Sequence, residues 1–296
     1  MSHQTQRNLM TPGHYENFPV GSIFLPARLR APIRAIYVFA RSADDFADEG
    51  NDPAEERLAK LAEYHAHLDA LERGESVEHP VFKALAPHIK KFNLPYPLFH
   101  DLLSAFEQDC TKTRYAHFGE VMDYCKRSAN PIGRLLLKLY GDEDVKHQAW
   151  SDGICSALQL INFLQDVAVD WQKNRIYLPQ DDMAKFGISE RQIAEGRCDA
   201  LWQQFMKGQI ERARRMLQAG APLGLALKGR IGFEMRMIIL GGERILMQLH
   251  ESRGDMFKQR PKLGWKDWLN MLWRAAYTRQ THAGNAPSCG SGGCSH

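Results

Sequence analysis

The chain has 296 residues, 44% hydrophobic and 25% charged, with a formal net charge of +3, the balance of a globular protein that buries a large core. So small a net charge, with no zinc-finger spacing and no concentrated basic block, speaks against a nucleic-acid partner. No stretch approaches the roughly 20 uninterrupted apolar residues of a membrane span; the best, 154–169, is broken by Gln159, Asn162, Gln165 and Asp166.

Along the chain, residues 1–21 are polar and lack the basic-then-apolar pattern of a secretory signal. Beyond them the periodicity is helical almost throughout, with no convincing period-two alternation. The predicted helices run over 32–49, 53–73, 79–92, 95–110, 119–129, 131–140, 144–171, 190–218, 222–252 and 265–279. Prolines at or near several of these starts suit the first helical turn, where a missing N–H costs nothing. Residues 174–186 (NRIYLPQDDMAKF) read as a loop with a short turn. The Gly-, Ser- and Ala-rich tail, 281–296, is expected to be disordered, and its Cys289, Cys294 and His296 lack an ordered fourth metal ligand. Cys110, Cys125, Cys155 and Cys198 are scattered singly, as reduced thiols of a cytoplasmic protein would be. The expectation is an all-α, single-domain helical bundle over 1–280.

Two of the predicted helices carry chemistry. In YVFARSADDFADEG, at about 100° of rotation per residue, Tyr37, Arg41, Asp44 and Asp48 share one narrow stripe, with Asp45 at its edge. Ile36, Val38, Ala43 and Ala47 lie opposite, available for packing. In CSALQLINFLQDVAVDWQKNRIYLP, Gln159, Asn162, Asp166 and Asp170 again fall on one face of a helix that is apolar nearly all round. Such a stripe points inward to a cavity, where carboxylates need metal or hydrogen-bond partners. Aspartates at i and i+4 on two facing helices present hard oxygen ligands across a gap, the donor set magnesium shares with a substrate phosphate. Arg41, with Lys173 or Arg175, can take up remaining diphosphate charge, so that a carbon–oxygen bond ionises to a carbocation. Aromatic rings at Phe18, Tyr37, Phe39 and Tyr124 are candidates to shield that cation.

With these residues in view, the chain resembles the squalene/phytoene synthase family, the head-to-head prenyl synthases, from about Phe18 to Arg260. The resemblance rests on YVFARSADDFADE and ALQLINFLQDVAVDWQKNRIYLP, and implies an isoprenoid-synthase helical bundle around a central active-site cavity. It implies Asp44, Asp48, Asp166 and Asp170 as magnesium ligands and a prenyl diphosphate substrate. Tyr37, Arg41, Tyr124 (in DYCKRSANPIG) and Asn162 become the catalytic candidates. Substrate contacts are expected from Phe18, Arg41, Gln159 and Asn162, and from Gln165, Arg175 and Tyr177. Several positions depart from the common family pattern: Gln165 stands where an arginine is usual, SANPIG replaces a run of small residues, and Gly241-Gly242 stands where an aromatic is common. A lost charge at 165 and a lost aromatic near 242 would weaken a second diphosphate site and reshape the cavity. ENFPVGS and SANPIG look most like the bacterial branch of the hopanoid pathway, which implies ionisation of presqualene diphosphate and water capture to hydroxysqualene, with no NADPH.

Two other readings stand beside this one: a condensing enzyme that joins two prenyl diphosphates, and a non-catalytic scaffold member, against which both intact aspartate pairs argue. In WKDWLNMLWRAAYTR, Trp265, Trp268, Leu269, Leu272, Trp273 and Ala276 form one stripe, with Lys266, Arg274 and Arg279 elsewhere. That helix either packs on the bundle or rests on the inner face of the cytoplasmic membrane. Neighbouring enzymes of the same pathway are candidate partners.

Overall fold

The computed structural model describes residues 25–48 and 52–283, with side chains as far as residue 276. Phe18, the ENFPVGS segment and Cys289, Cys294 and His296 lie outside the described residues. Among the described residues the chain is all helix, with no strand and one isolated bridge, Arg114 to Ile176. In order come α1 (Ala27–Asp48), α2 (Ala54–Glu72), α3 (Pro80–Phe92), α4 (Tyr96–Asp109), α5 (Phe118–Ser128), α6 (Asn130–Tyr140) and α7 (Val145–Gln172). There follow α8 (Gln180–Lys185), α9 (Glu190–Ala194), α10 (Ala200–Gly220), α11 (Leu223–Ala226), α12 (Gly229–Glu251) and α13 (Trp265–Ala283).

Local chemistry explains most boundaries. Prolines sit in the first turns of α3, α4 and α6. Asp144 and Asp199 cap α7 and α10 by accepting from the backbone N–H of Lys146 and Trp202. Four expectations are revised. Helix α1 begins at Ala27 and carries Pro32 inside it. The helix predicted over 190–218 is broken: α9 stops before Gly196, at φ +59°, and Asp199 starts α10 afresh. The helix predicted over 222–252 is likewise broken at Gly229, φ +63°. Helix α13 also runs past Arg279 to Ala283, into the segment predicted as tail.

Packing makes two apolar bodies. One joins α1 to α4 with α6, around Phe39, Phe82 and Phe99. The other gathers α5, α7, α10 and α12 with the segment after α7, around Trp202, Phe205 and Leu246. Helix α10 can lie against α7 because Gly220 has no side chain; a Cβ there would meet the Trp150 carbonyl at 2.5 Å. The two bodies face each other across a cavity, and each contributes one aspartate-bearing helix to it.

Candidate active site

The cavity holds about 440 Å³. Its charged lining comprises Asp44 and Asp48 from the end of α1, Asp166 and Asp170 from the end of α7, and the cations Arg41, Lys173, Arg175, Arg260 and Lys262. Its aromatic lining comprises Phe106, Tyr124, Phe163 and Tyr177. Gln159 and Asn162 lie on the α7 wall, so the two polar stripes of the sequence do meet across one space. Asp48 and Asp170 lie in the last turns of their helices, where the negative end of the helix dipole disfavours a further negative charge.

The counter-charges are individually placed. Arg41 binds Asp44 at 3.1 Å and Asp45 at 2.6 Å. Asp48 is held by Lys173 Nζ at 2.8 Å and by Arg175 Nη1. Arg175 also donates through Nη2 to the carbonyls of Ala47 (3.2 Å) and Asp109 (3.0 Å), tying α1 to α4. It reaches them because Asn174 takes a left-handed conformation, φ +57°, that turns the chain back after α7. Arg114 fixes that turn, donating to the Asn174 carbonyl at 2.6 Å and to Glu190. Arg260 Nε and Nη2 grip both oxygens of Asp166.

Burial, then Asp48, pushes the carboxyl of Asp44 up to about 8, with Arg41 opposing. Burial and then Asp166 likewise push Asp170 up to about 8, against Arg175 and Lys173. Burial would also raise Asp48, but Arg175 and Lys173 outweigh it and hold that carboxyl below its ordinary range. In both, burial disfavours the charge more than any neighbouring group does. The carboxylates present only oxygen donors, and hard divalent cations favour such a set, so these residues fit a metal of that kind.

Several sequence candidates fall elsewhere. Phe39 is fully buried in the first core, edge-on to Phe82 and Phe99, and does not line the cavity. Tyr37 lines a small adjoining void of about 30 Å³ that shares Arg41, Phe106 and Ser128 with the main one. Gln165 is buried and turned away from the cavity wall, donating to the Pro261 carbonyl at 2.9 Å. It therefore steadies the segment that carries Arg260 and Lys262. Gly242 faces Leu158, Ile161 and Leu217, where a Cβ would stand 3.0–3.3 Å from them, so its absent side chain serves helix packing. Most of SANPIG packs α6 on α7: Asn130 accepts from Ser156 Oγ at 2.8 Å, and Gly133 lies against Ser151 and Cys155.

Sequence reasoning missed Asp109, Phe106 and Phe163 in the cavity wall, and Arg260 and Lys262. Asp109 had a signal, since Leu102, Phe106 and Asp109 share one helical stripe, putting an acid on an apolar face. Arg260 had none, because its partner lies 94 residues away. Asp109 is 5% exposed and accepts from Tyr124 Oη at 2.6 Å and Tyr177 Oη at 3.0 Å. Tyr177 stacks on Phe163 with centroids 3.9 Å apart, which fixes both rings.

The squalene/phytoene synthase family model matches residues 11–267. The hydroxysqualene synthase of Sinorhizobium fredii is 34% identical over 79% of each chain. That of Rhodopseudomonas palustris is 36% identical over 79% of each. The crystal structure of squalene synthase HpnC from Alicyclobacillus acidocaldarius superposes with a TM-score of 0.76 at 34% identity, covering 84% of this chain and 93% of its own. This chain is a member of the squalene/phytoene synthase family of enzymes.

Proposed function

We propose that the protein ionises presqualene diphosphate with magnesium bound and lets water capture the rearranged cation, giving hydroxysqualene and diphosphate. The observation that carries this reading is a cavity lined together by carboxylates, cations and aromatic rings. Its likeness to hydroxysqualene synthases over four-fifths of the chain supports the choice of substrate. Magnesium, when held by Asp44, Asp48, Asp166 and Asp170, supplies charge for the departing diphosphate. Arg41, Lys173, Arg175, Arg260 and Lys262 add fixed positive charge there, at no reorganisation cost when the bond breaks. Asn162 and Gln159, in line with Asp166, orient the diphosphate end. Phe106, Phe163 and the tyrosine rings face the cation with their π-electrons and keep bulk water away. Water, not hydride, ends the cation, so no reductant is required.

The test is incubation of the whole chain with presqualene diphosphate and magnesium, without NADPH, followed by mass analysis of the lipid extract. Formation of a squalenol supports the reading. Unchanged substrate, with turnover of two farnesyl diphosphates to presqualene diphosphate, would establish the condensing activity in its place. Asp44→Asn and Asp166→Asn variants that complement as well as wild type would make the protein a scaffold.

Location forms part of the proposal. No helix among the described residues is long and apolar enough to cross a membrane. Helix α13 packs through Met271 and Ala275 but leaves Trp265, Trp268, Leu269 and Trp273 47–69% exposed. This face starts three residues beyond Lys262 on the cavity wall, so a water-insoluble product would leave beside it. Replacing the three tryptophans with serine is expected to abolish sedimentation with anionic vesicles while the circular dichroism spectrum is kept. Undiminished sedimentation would remove the membrane contact from the proposal.

A further inference from the structure

Water capture of a carbocation leaves a protonated alcohol, and the proton must pass to a base beside the site of capture. Asp44, Asp48 and Asp166 are each paired with a cation, and Asp170 belongs with them to the proposed metal-ligand set. Asp109 is different: it belongs to α4, lines the same cavity, and is bonded through its side chain to two phenols. We propose that Asp109 accepts, through the hydroxyl of Tyr124, the proton released when water adds to the substrate cation. This rests on the water-capture reading above.

Three observations carry the assignment. Tyr124 Oη donates to Asp109 Oδ2 at 2.6 Å, the length of a charge-assisted O–H···O bond. A phenol whose hydrogen is committed to a carboxylate keeps its lone pairs for another donor, and Tyr124, packed against Tyr115, Phe163 and Tyr177, also lines the cavity. Tyr177 Oη holds the second oxygen of Asp109 at 3.0 Å, and Arg175 holds its backbone carbonyl at 3.0 Å, so the carboxylate cannot swing away. Burial raises the Tyr124 phenol well above its ordinary range, so it passes a proton on and does not serve as a standing phenolate. Burial also pushes Asp109 up to about 6, leaving it ionised at neutral pH and ready to accept.

The step balances. A water oxygen bonds to the cationic carbon, and one of its O–H bonds breaks toward Tyr124 Oη. The hydrogen of Tyr124 moves to Asp109 Oδ2 in the same event. Cation and carboxylate become neutral alcohol and carboxylic acid, and the phenol is unchanged. A protonated alcohol is a far stronger acid than a carboxylic acid, so the transfer runs downhill.

The test compares wild type with Asp109→Asn and Asp109→Glu, in the whole magnesium-loaded chain with presqualene diphosphate as substrate. Diphosphate release reports ionisation, and the ratio of alcohol to hydrocarbon reports what ends the cation. Asparagine can accept from one tyrosine, donates its amide toward the other and cannot take a proton, so its alcohol share is expected to fall at least tenfold, with glutamate restoring most of it. A slower Asp109→Asn enzyme with an unchanged ratio would reduce Asp109 to a support for the tyrosines and overturn the proposal. Should Asp109→Asn not fold, the wild-type ratio in heavy water decides: the relay requires a lower alcohol share there, and an unchanged share refutes it. Wild type that releases diphosphate yet forms no alcohol would sink the functional reading itself, a result distinguishable from both.

Discussion

The reluctance of Asp44 and Asp170 to ionise gives the metal-free protein an unusual dependence on pH. Each carboxyl has an ordinary value of 3.8 and is pushed up to about 8 in the folded chain. Between those values the folded state binds more protons than the unfolded one, so stability falls as pH rises and the deficit is complete above pH 8. Four pKa units on one group would be a ceiling of ~6 kcal/mol. The neighbouring carboxyls share that penalty and Asp44 keeps 15% of its side-chain surface in contact with solvent, so we take roughly 3 kcal/mol for the pair. About half of that loss falls above pH 6, and a chain of this length has an unfolding entropy of ~0.6 kcal/mol/K, so the melting temperature in EDTA should drop by ~2–3 °C between pH 6 and pH 9. Magnesium binds the ionised carboxylates, so its stabilising increment should grow across the same interval. Asp48 acts in the opposite sense: its lowered carboxyl contributes stability at neutral pH that is lost as pH falls through its depressed value. Scanning calorimetry at fixed ionic strength, with and without magnesium, measures all three effects. A metal-free melting temperature that is flat or rises from pH 6 to 9 would refute the electrostatic account of the site.

Other perturbations separate residues that hold the site from those that shape it. Arg175→Met strips Asp48 of its buried partner and leaves the Ala47 and Asp109 carbonyls without their donor; ~3–5 kcal/mol should be lost in denaturant melts, with little turnover remaining. Gln165→Leu leaves the Pro261 carbonyl unpaired, at a cost of ~1–3 kcal/mol, and faster amide exchange at Arg260 and Lys262 would show that the segment has loosened. Gly242→Tyr, which restores an aromatic common among relatives, should destabilise by ~3 kcal/mol or more without enlarging the cavity, because the ring must enter the contact of α12 with α7 and α10. A melting temperature equal to wild type in that variant would contradict the packing described here.

Both aspartate pairs were legible because a helix converts spacing into direction: residues four apart share a face whatever surrounds them. Asp44, Asp48, Asp166 and Asp170 could therefore be matched to one site before any contact was known. Phe39 was a candidate for its ring and not its direction, for the same rule puts it four residues before Ala43, on the packing face. Periodicity says which residues are alike in direction but not what stands opposite, and Phe39 faces Phe82 and Phe99 across the first core. Gln165 shows a different limit, since a polar residue on an inward helix reads as a ligand contact until a backbone carbonyl 96 residues later accepts its amide.

By itself the sequence determined what local chemistry controls: helices from apolar periodicity, their ends from prolines and caps, and two inward stripes of oxygen donors. Tertiary structure alone decided which charges meet. It brought Arg260 to Asp166 and Arg175 to Asp48, and set Asp109 between two tyrosines. The physical reason is range. Hydrogen bonding within a helix acts over four residues, whereas the electrostatics of a cavity depend on distances between elements that only packing fixes.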